Sequence, residues 1–173
     1  VQPVPAHDDP IKDRRIRIKR TRRILEVAYR LAPEQADIHE ITATTPEEDW
    51  SLMALTFAVM NYDLQGGFRA YGDYLMNEAD MVKAYTELRQ IFQMLLLQHR
   101  GQLITKCPEH LWFLDALLEV FPDACIVWTH RDPFPTIASY ASMTSLTRRA
   151  FYGDARPEEI GPYIMDRFHT GVT

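Results

Sequence analysis

Two cations in this 173-residue chain stand where they could act on an anion: Lys106 and Arg131. Each follows a short apolar run, residues 103–105 in one case and 124–129 in the other. Arg131 is followed by Asp132-Pro133 and then by hydroxyls at Thr136, Ser139, Ser142 and Ser145. A guanidinium fork ahead of a helix N-terminus, with free N–H groups and a neutral hydroxyl donor behind it, is a seat for a phosphate. From Arg131 to Ser139 the chain crosses a tight turn and about one and a half helical turns, so both can reach one anion. The same residues also have a purely structural use. Arg131 can pair with Asp132 or another carboxylate, and helical hydroxyls often bond back to backbone carbonyls. Lys106 precedes Cys107-Pro108-Glu109-His110. A lysine there can neutralise charge on a transferred anionic group, and His110 or Glu109 could serve as general base toward a hydroxyl. Capping and packing are the competing uses of both.

The elements that must position these groups follow from periodicity. An amphipathic stretch separates the two apolar runs, which predicts strand, helix, strand across residues 101–150. A parallel crossover puts both strand ends on one sheet edge, so Lys106 and Arg131 are expected to open toward one crevice. The expected fold class is therefore α/β, a P-loop-like parallel sheet with helices, here incomplete and helix-rich. Residues 1–100 read as a mainly helical part and 151–173 as a helical extension of the same single partial domain. Within the first part, residues 11–31 predict a helix with Ile11, Ile18, Ile24, Leu25, Ala28 and Leu31 on one stripe and basic residues around it. Thr45-Pro46-Glu47-Glu48 has the form of a capping box, predicting a helix that buries Trp50, Leu52, Met53, Leu55, Phe57 and Val59. Residues 63–80, rich in Gly, Tyr and Asn, offer Phe68, Tyr71 and Tyr74 as a lid, an acceptor lining or simple packing. Residues 81–100 predict a strong helix with Tyr85, Leu88, Phe92, Leu95, Leu96 and His99 inside, stopped by Gly101. Pro157-Glu158-Glu159 opens a last helix over Ile160, Tyr163, Ile164 and Phe168.

Bulk properties narrow the function. The net charge of -5 argues against a general nucleic-acid binder, which relies on a basic surface, but allows a small anionic ligand in a local basic pocket. Cys107 and Cys125 are isolated, so neither a disulfide framework nor a metal site is signalled, and a reducing cytoplasm is the default. No apolar run is long enough for a membrane span. The opening VQPVPAHDDP has no secretory pattern and no initiating Met, so the chain is expected to be a piece of something longer.

The series LITKCPEHLWFLDALLEVFPDACIVWTHRDPFPTIASYAS resembles the middle of the sulfotransferases that use 3′-phosphoadenosine-5′-phosphosulfate (PAPS), in particular a bacterial and actinobacterial branch. The K-[SC]-P-x-H-L and THRDP segments carry the resemblance, which extends over roughly Arg22 to Phe168. It implies transfer of a sulfuryl group from that nucleotide donor to a hydroxyl or amine of a small-molecule acceptor, without a metal. By position, Arg131 and Ser139 would bind the 3′-phosphate, and Lys106 would lie near the sulfate. Better-known relatives carry a histidine two residues after the lysine, where this chain has Pro108. The base is thus open among His110, His39, Glu47 and Glu48, in that order, with His110 the catalytic choice beside Lys106. Nothing in the chain matches the relatives' N-terminal G-x-P-R-[ST]-G-[ST]-[ST] loop for the 5′-phosphosulfate, so the chain resembles an internal fragment. A non-catalytic nucleotide-binding remnant is the alternative expectation. A kinase-like enzyme is disfavoured because no GxxxxGK[ST] is present. Acceptor identity and oligomeric state have no signal in the sequence.

Overall fold

A computed structural model describes residues 5–34, 36, 39–97, 101–153 and 155–172. His99 lies outside the described residues, and so does the end of the helix predicted to reach residue 100. The helices are α1 (Pro10–Leu31), α2 (Trp50–Met53), α3 (Asn61–Leu64), α4 (Arg69–Asn77), α5 (Met81–Leu96), α6 (Leu114–Val120), α7 (Pro133–Tyr152) and α8 (Pro157–Val172). Short 3₁₀ turns, Ala54–Thr56 and Pro108–Trp112, precede α3 and α6.

The core forms where stripes of several helices meet. On α5, Met81, Ala84, Tyr85, Leu88 and Phe92 recur at three and four and are buried, so this helix follows its sequence pattern. Against it pack Leu52 and Met53 of α2, and Leu117 and Val120 of α6. The long α7 and α8 lie together and close the other side with Ile160, Tyr163 and Ile164. Their starts also match expectation. Pro133 opens α7 behind Asp132, whose carboxylate accepts from the Phe134 N–H at 2.9 Å, and Pro157 opens α8 with Glu158 and Glu159 in its first turn. Arg148 of α7 donates to Leu64 O at 3.0 Å and Gln65 O at 3.3 Å, satisfying the carbonyl end of α3.

The expected α/β fold is not found: among the described residues there is no β-strand. Both runs read as strands are extended, but neither has a neighbour in a ladder. Ile104 is 87 % exposed and Val127 81 %. Apolar, β-branched residues favour a strand only when a second strand completes the hydrogen bonds and covers the side chains. Among the described residues no backbone hydrogen bond joins the two runs, and helices supply the core instead. Just past the end of the first, the Asp49 N–H donates to Lys106 O at 3.3 Å.

Two local expectations also change. The helix predicted to start at Thr45 begins at Trp50. Thr45 instead uses its hydroxyl within its own turn, accepting from the Thr42 N–H at 3.2 Å, so the capping box does not form. Leu55 and Phe57 then fall on the solvent side at 61 % and 71 % exposure. In α1 the predicted apolar stripe is not inside either. Ile11, Ile24 and Leu31 are exposed, and the buried residue is Asp13, which binds Arg17 at 2.7 Å and accepts from the Ala6 N–H at 2.6 Å.

Candidate functional site

The connection into α2 and the segment from Lys106 through the 3₁₀ turn Pro108–Trp112 bring five of the candidate residues to one place: His39, Glu47, Glu48, Lys106 and His110. Lys106, 70 % exposed at its side chain, forms an ion pair with the Glu48 carboxylate. One residue before Glu48, Glu47 accepts from His39 Nε2 at 3.2 Å. One residue after it, Asp49 turns inward and meets His110 Nε2 at 3.3 Å. Three consecutive acids therefore each take a cation or an imidazole.

His110 is held from both sides. Its Nδ1 lies 2.9 Å from the Tyr85 hydroxyl, and Tyr85 is fully buried on α5. Burial first, then the neighbouring ionisable groups of Cys107, Asp49 and Glu109, push the Tyr85 phenol well above its ordinary range, so it stays protonated. With the ring neutral, Tyr85 donates to Nδ1 and Nε2–H donates to Asp49. Neither ring nitrogen is then left with a free lone pair. Sequence reading placed Tyr85 in the core and gave Asp49 no role. The signal for Asp49 was its place next to Glu47-Glu48, hidden by the predicted capping box.

Glu109 faces away from this exposed group. It is 2 % exposed, and its two oxygens accept from the N–H groups of Met60 at 2.8 Å and Asn61 at 2.9 Å. It ties the 3₁₀ turn to the start of α3. Burial pushes its carboxyl up to about 8 despite those two amides. A folded state that holds a proton the unfolded chain has already released loses stability as pH rises between the two values. Stability is thus expected to fall from about pH 4.5 to about pH 8 as Glu109 ionises in place. Urea denaturation at several pH values checks this: Glu109→Gln should flatten the profile to the part that Asp63 contributes, whose carboxyl burial also raises. An unchanged slope in the variant would assign the pH dependence elsewhere.

Arg131 and Ser139 sit at the other end, before and within the start of α7. Both are exposed, and among the described residues neither has a hydrogen-bond or ion-pair partner. The neighbouring hydroxyls behave differently. Thr136, Ser142, Ser145 and Thr147 donate to carbonyls four residues back, at 2.7 to 3.0 Å. Arg131 does not pair with Asp132, whose carboxylate is taken by the helix start. Arg131 thus stands two residues before the start of α7 and Ser139 in its second turn, and among the described residues no hydrogen bond or ion pair joins either to the Lys106 group.

Beyond the predicted set, a shallow apolar hollow is lined by Phe57, Tyr62, Phe68, Arg69, Ala70 and Tyr71. Phe57 stands at its rim with φ 57°, a left-handed conformation, and its carbonyl accepts from the Tyr71 hydroxyl. Trp112 is not part of this hollow and donates to Arg167 O at 2.8 Å under α8. No cluster of metal-ligating side chains occurs among the described residues, and no described helix is long and apolar enough to cross a membrane.

A sequence model described as "Sulfotransferase family" matches residues 2–173. Among solved structures, sulfotransferase STF9 from Mycobacterium avium superposes with a TM-score of 0.77 at 27% identity. The match covers 95% of this chain and 42% of that one, so the chain spans less than half of its neighbour's length. No curated protein matches the sequence.

Proposed function

Because the chain belongs to the sulfotransferase family, we propose that it takes part in moving a sulfuryl group from PAPS to a hydroxyl or amine of a small molecule. The observation that carries this reading is Lys106 paired with Glu48, an exposed cation beside a partly buried carboxylate, where a substrate can replace either as partner of the other. When bound, the donor supplies an activated sulfuryl group. Glu48 takes the proton from the acceptor oxygen, and Lys106 neutralises the charge that grows on the departing oxygen. Glu48 is assigned as base ahead of His110 because both nitrogens of that ring are engaged. His110 is then a positioning residue that fixes Asp49, and with it the backbone carrying Glu48. His39 and Glu47 form the adjoining pair. Arg131 and Ser139 hold the 3′-phosphate, and the aromatic hollow suits an acceptor with an apolar body.

The test is transfer of labelled sulfate from PAPS to a panel of phenols and alcohols by the 173-residue chain. Labelled product that disappears in Glu48→Gln supports the reading; product at the parental rate in that variant would remove Glu48 from it. Arg131→Ala is expected to weaken binding of adenosine 3′,5′-bisphosphate by about 1.5–3 kcal/mol, the size of a charge-assisted contact. Calorimetry checks this, and equal affinity would move the phosphate seat away from α7. A second reading, a nucleotide-binding part without turnover, is favoured by the lack of any match to the 5′-phosphosulfate loop within the 173 residues. It predicts thermal stabilisation by the bisphosphate with no labelled product.

A further inference from the structure

Charge is distributed very unevenly along this chain. Helix α1 carries nine Lys or Arg against two Asp or Glu, while the whole chain has 19 and 24. Ten cations and 22 acids are left for the rest, so a basic helix is attached to a strongly acidic body. That helix packs along no other helix of the described residues. It is tethered at its far end by Tyr29, whose hydroxyl donates to Ile41 O at 2.9 Å and accepts from the Ile41 N–H at 2.7 Å. Among the described residues, the ion pair found on this helix joins Arg17 to Asp13. Arg20, Arg23, Ile24, Val27 and Leu31 share one face, each three or four residues from another member, and all are exposed, the three aliphatic residues at 69 %, 55 % and 79 %.

A face of opposite character occurs on α6. Asp115, Leu118 and Glu119 share its outer side, with Asp123 just beyond its end, and all four are exposed. None of these acids is in an ion pair among the described residues. Arg89 does reach this helix, but its guanidinium donates to the Val120 carbonyl at 3.2 Å. The α8 surface is less suited, because Arg69 lies with Glu159 and Asp166 there.

We infer that α1 docks against the acidic α6 face of a second copy of this chain, with the aliphatic residues of α1 covering Leu118. Arginines supply seven of the nine cations on α1, and their forks match carboxylates better than ammonium groups do. Two copies related by a two-fold axis make the contact twice. A phospholipid surface is a poorer match: helices that lie in a membrane interface bury a broad apolar face, whereas α1 has no Trp or Phe, only Leu25 and Leu31 among its leucines, and two arginines, Arg20 and Arg23, on its exposed aliphatic face. Nucleic acid would meet the acidic body.

Sedimentation of the full 173-residue chain tests this. At about 50 mM salt and on the order of 100 µM protein it should sediment as a dimer, and at about 500 mM salt as a monomer, because exposed ion pairs are screened. Arg20→Glu with Arg23→Glu, and separately Asp115→Lys with Glu119→Lys, should each be monomeric while keeping the parental circular dichroism. Mixed in equal amounts, these two variants should pair with each other, since each reversed face then meets its complement. A parental monomer at both salts would overturn the proposal, as would a dimer that survives either reversal or a mixture that stays monomeric. Capture by phosphatidylserine vesicles in the absence of self-association would also overturn it.

Discussion

Arg167→Met is expected to remove about 3–5 kcal/mol of folding stability, the loss typical when one partner of a buried ion pair is deleted. Asp63 on α3 is fully buried, and three groups meet it or lie beside it. The Tyr163 hydroxyl donates to its carboxylate, Arg167 Nε lies 3.0 Å from Oδ2, and the same Nε donates to the Tyr163 oxygen at 2.8 Å. Gly72 closes the top, where any added Cβ would strike the Asp63 carboxylate. Arg69 completes the assembly, its guanidinium 4.1 Å above the Tyr163 ring. Without Arg167 the carboxylate keeps its burial and loses its cation. Burial already raises the Asp63 carboxyl against Tyr163 and Arg167, so the variant should take up a proton there and lose further stability as pH rises. Urea denaturation of the single and double variants decides the matter. Asp63→Asn combined with Arg167→Met should recover much of the loss, because no charge is then left buried. Asp73, the other carboxylate on Arg167, is 61 % exposed, and Asp73→Ala should cost less than about 1 kcal/mol. A small effect of Arg167→Met would mean that the network is not what fastens α8 to α3 and α4.

Lys106→Ala is expected to lower kcat by about 10²–10³, the usual consequence of removing one group that stabilises transition-state charge. The magnitude applies to sulfuryl transfer by a preparation in which turnover of the parent has been measured. Folding should hardly respond, since Lys106 is 70 % exposed and its pairing with Glu48 is a surface contact. That separation makes the test informative, because lost turnover cannot then be traced to unfolding. Lys106→Arg should restore part of the rate by keeping the charge near its place. A parental kcat in Lys106→Ala, with labelled product followed over time, would move the electrophilic role elsewhere. Arg131→Ala should differ in kind, weakening the nucleotide with a smaller effect on saturated turnover.

Elements decided by local chemistry were legible in the sequence. The stripe of α5, the Asp132-Pro133 opening of α7 and the Pro157-Glu158-Glu159 opening of α8 all depend on residues within a few positions of each other. What depended on distant partners was not. Residues 103–105 and 124–129 have the composition of strands, but a strand exists only with a neighbour, and composition does not supply one. Thr45 had two local bonding options, and the turn with Thr42 prevailed over the cap. The fastening of Asp63 to Tyr163 joins residues 100 apart in the chain. Half of that signal was present: Arg167 continues the buried series Ile160, Tyr163, Ile164 on the inner side of α8. A charge on an apolar stripe asks for a buried partner, and Asp63 beside Leu64 is the acid in a comparable position. Among the candidate site residues, proximity in sequence placed His110 near Lys106, but the pairing of Lys106 with Glu48, 58 residues away, had no such signal, and Lys106 was expected to face Arg131 instead. Nor did proximity predict that His110 would be held between Tyr85 and Asp49.

Of the charged groups proposed to meet ligand, all three stand on backbone outside regular structure, Glu48 before α2, Lys106 after residues 103–105 and Arg131 ahead of α7, while Ser139 is on α7 itself. The buried networks, by contrast, are anchored mainly on helices. Recognition here therefore carries an entropic penalty of about 1–2 kcal/mol for every residue that a ligand must immobilise. Nucleotide binding should accordingly be driven by enthalpy and opposed by entropy, with an affinity below what the same contacts would give on a stiff frame.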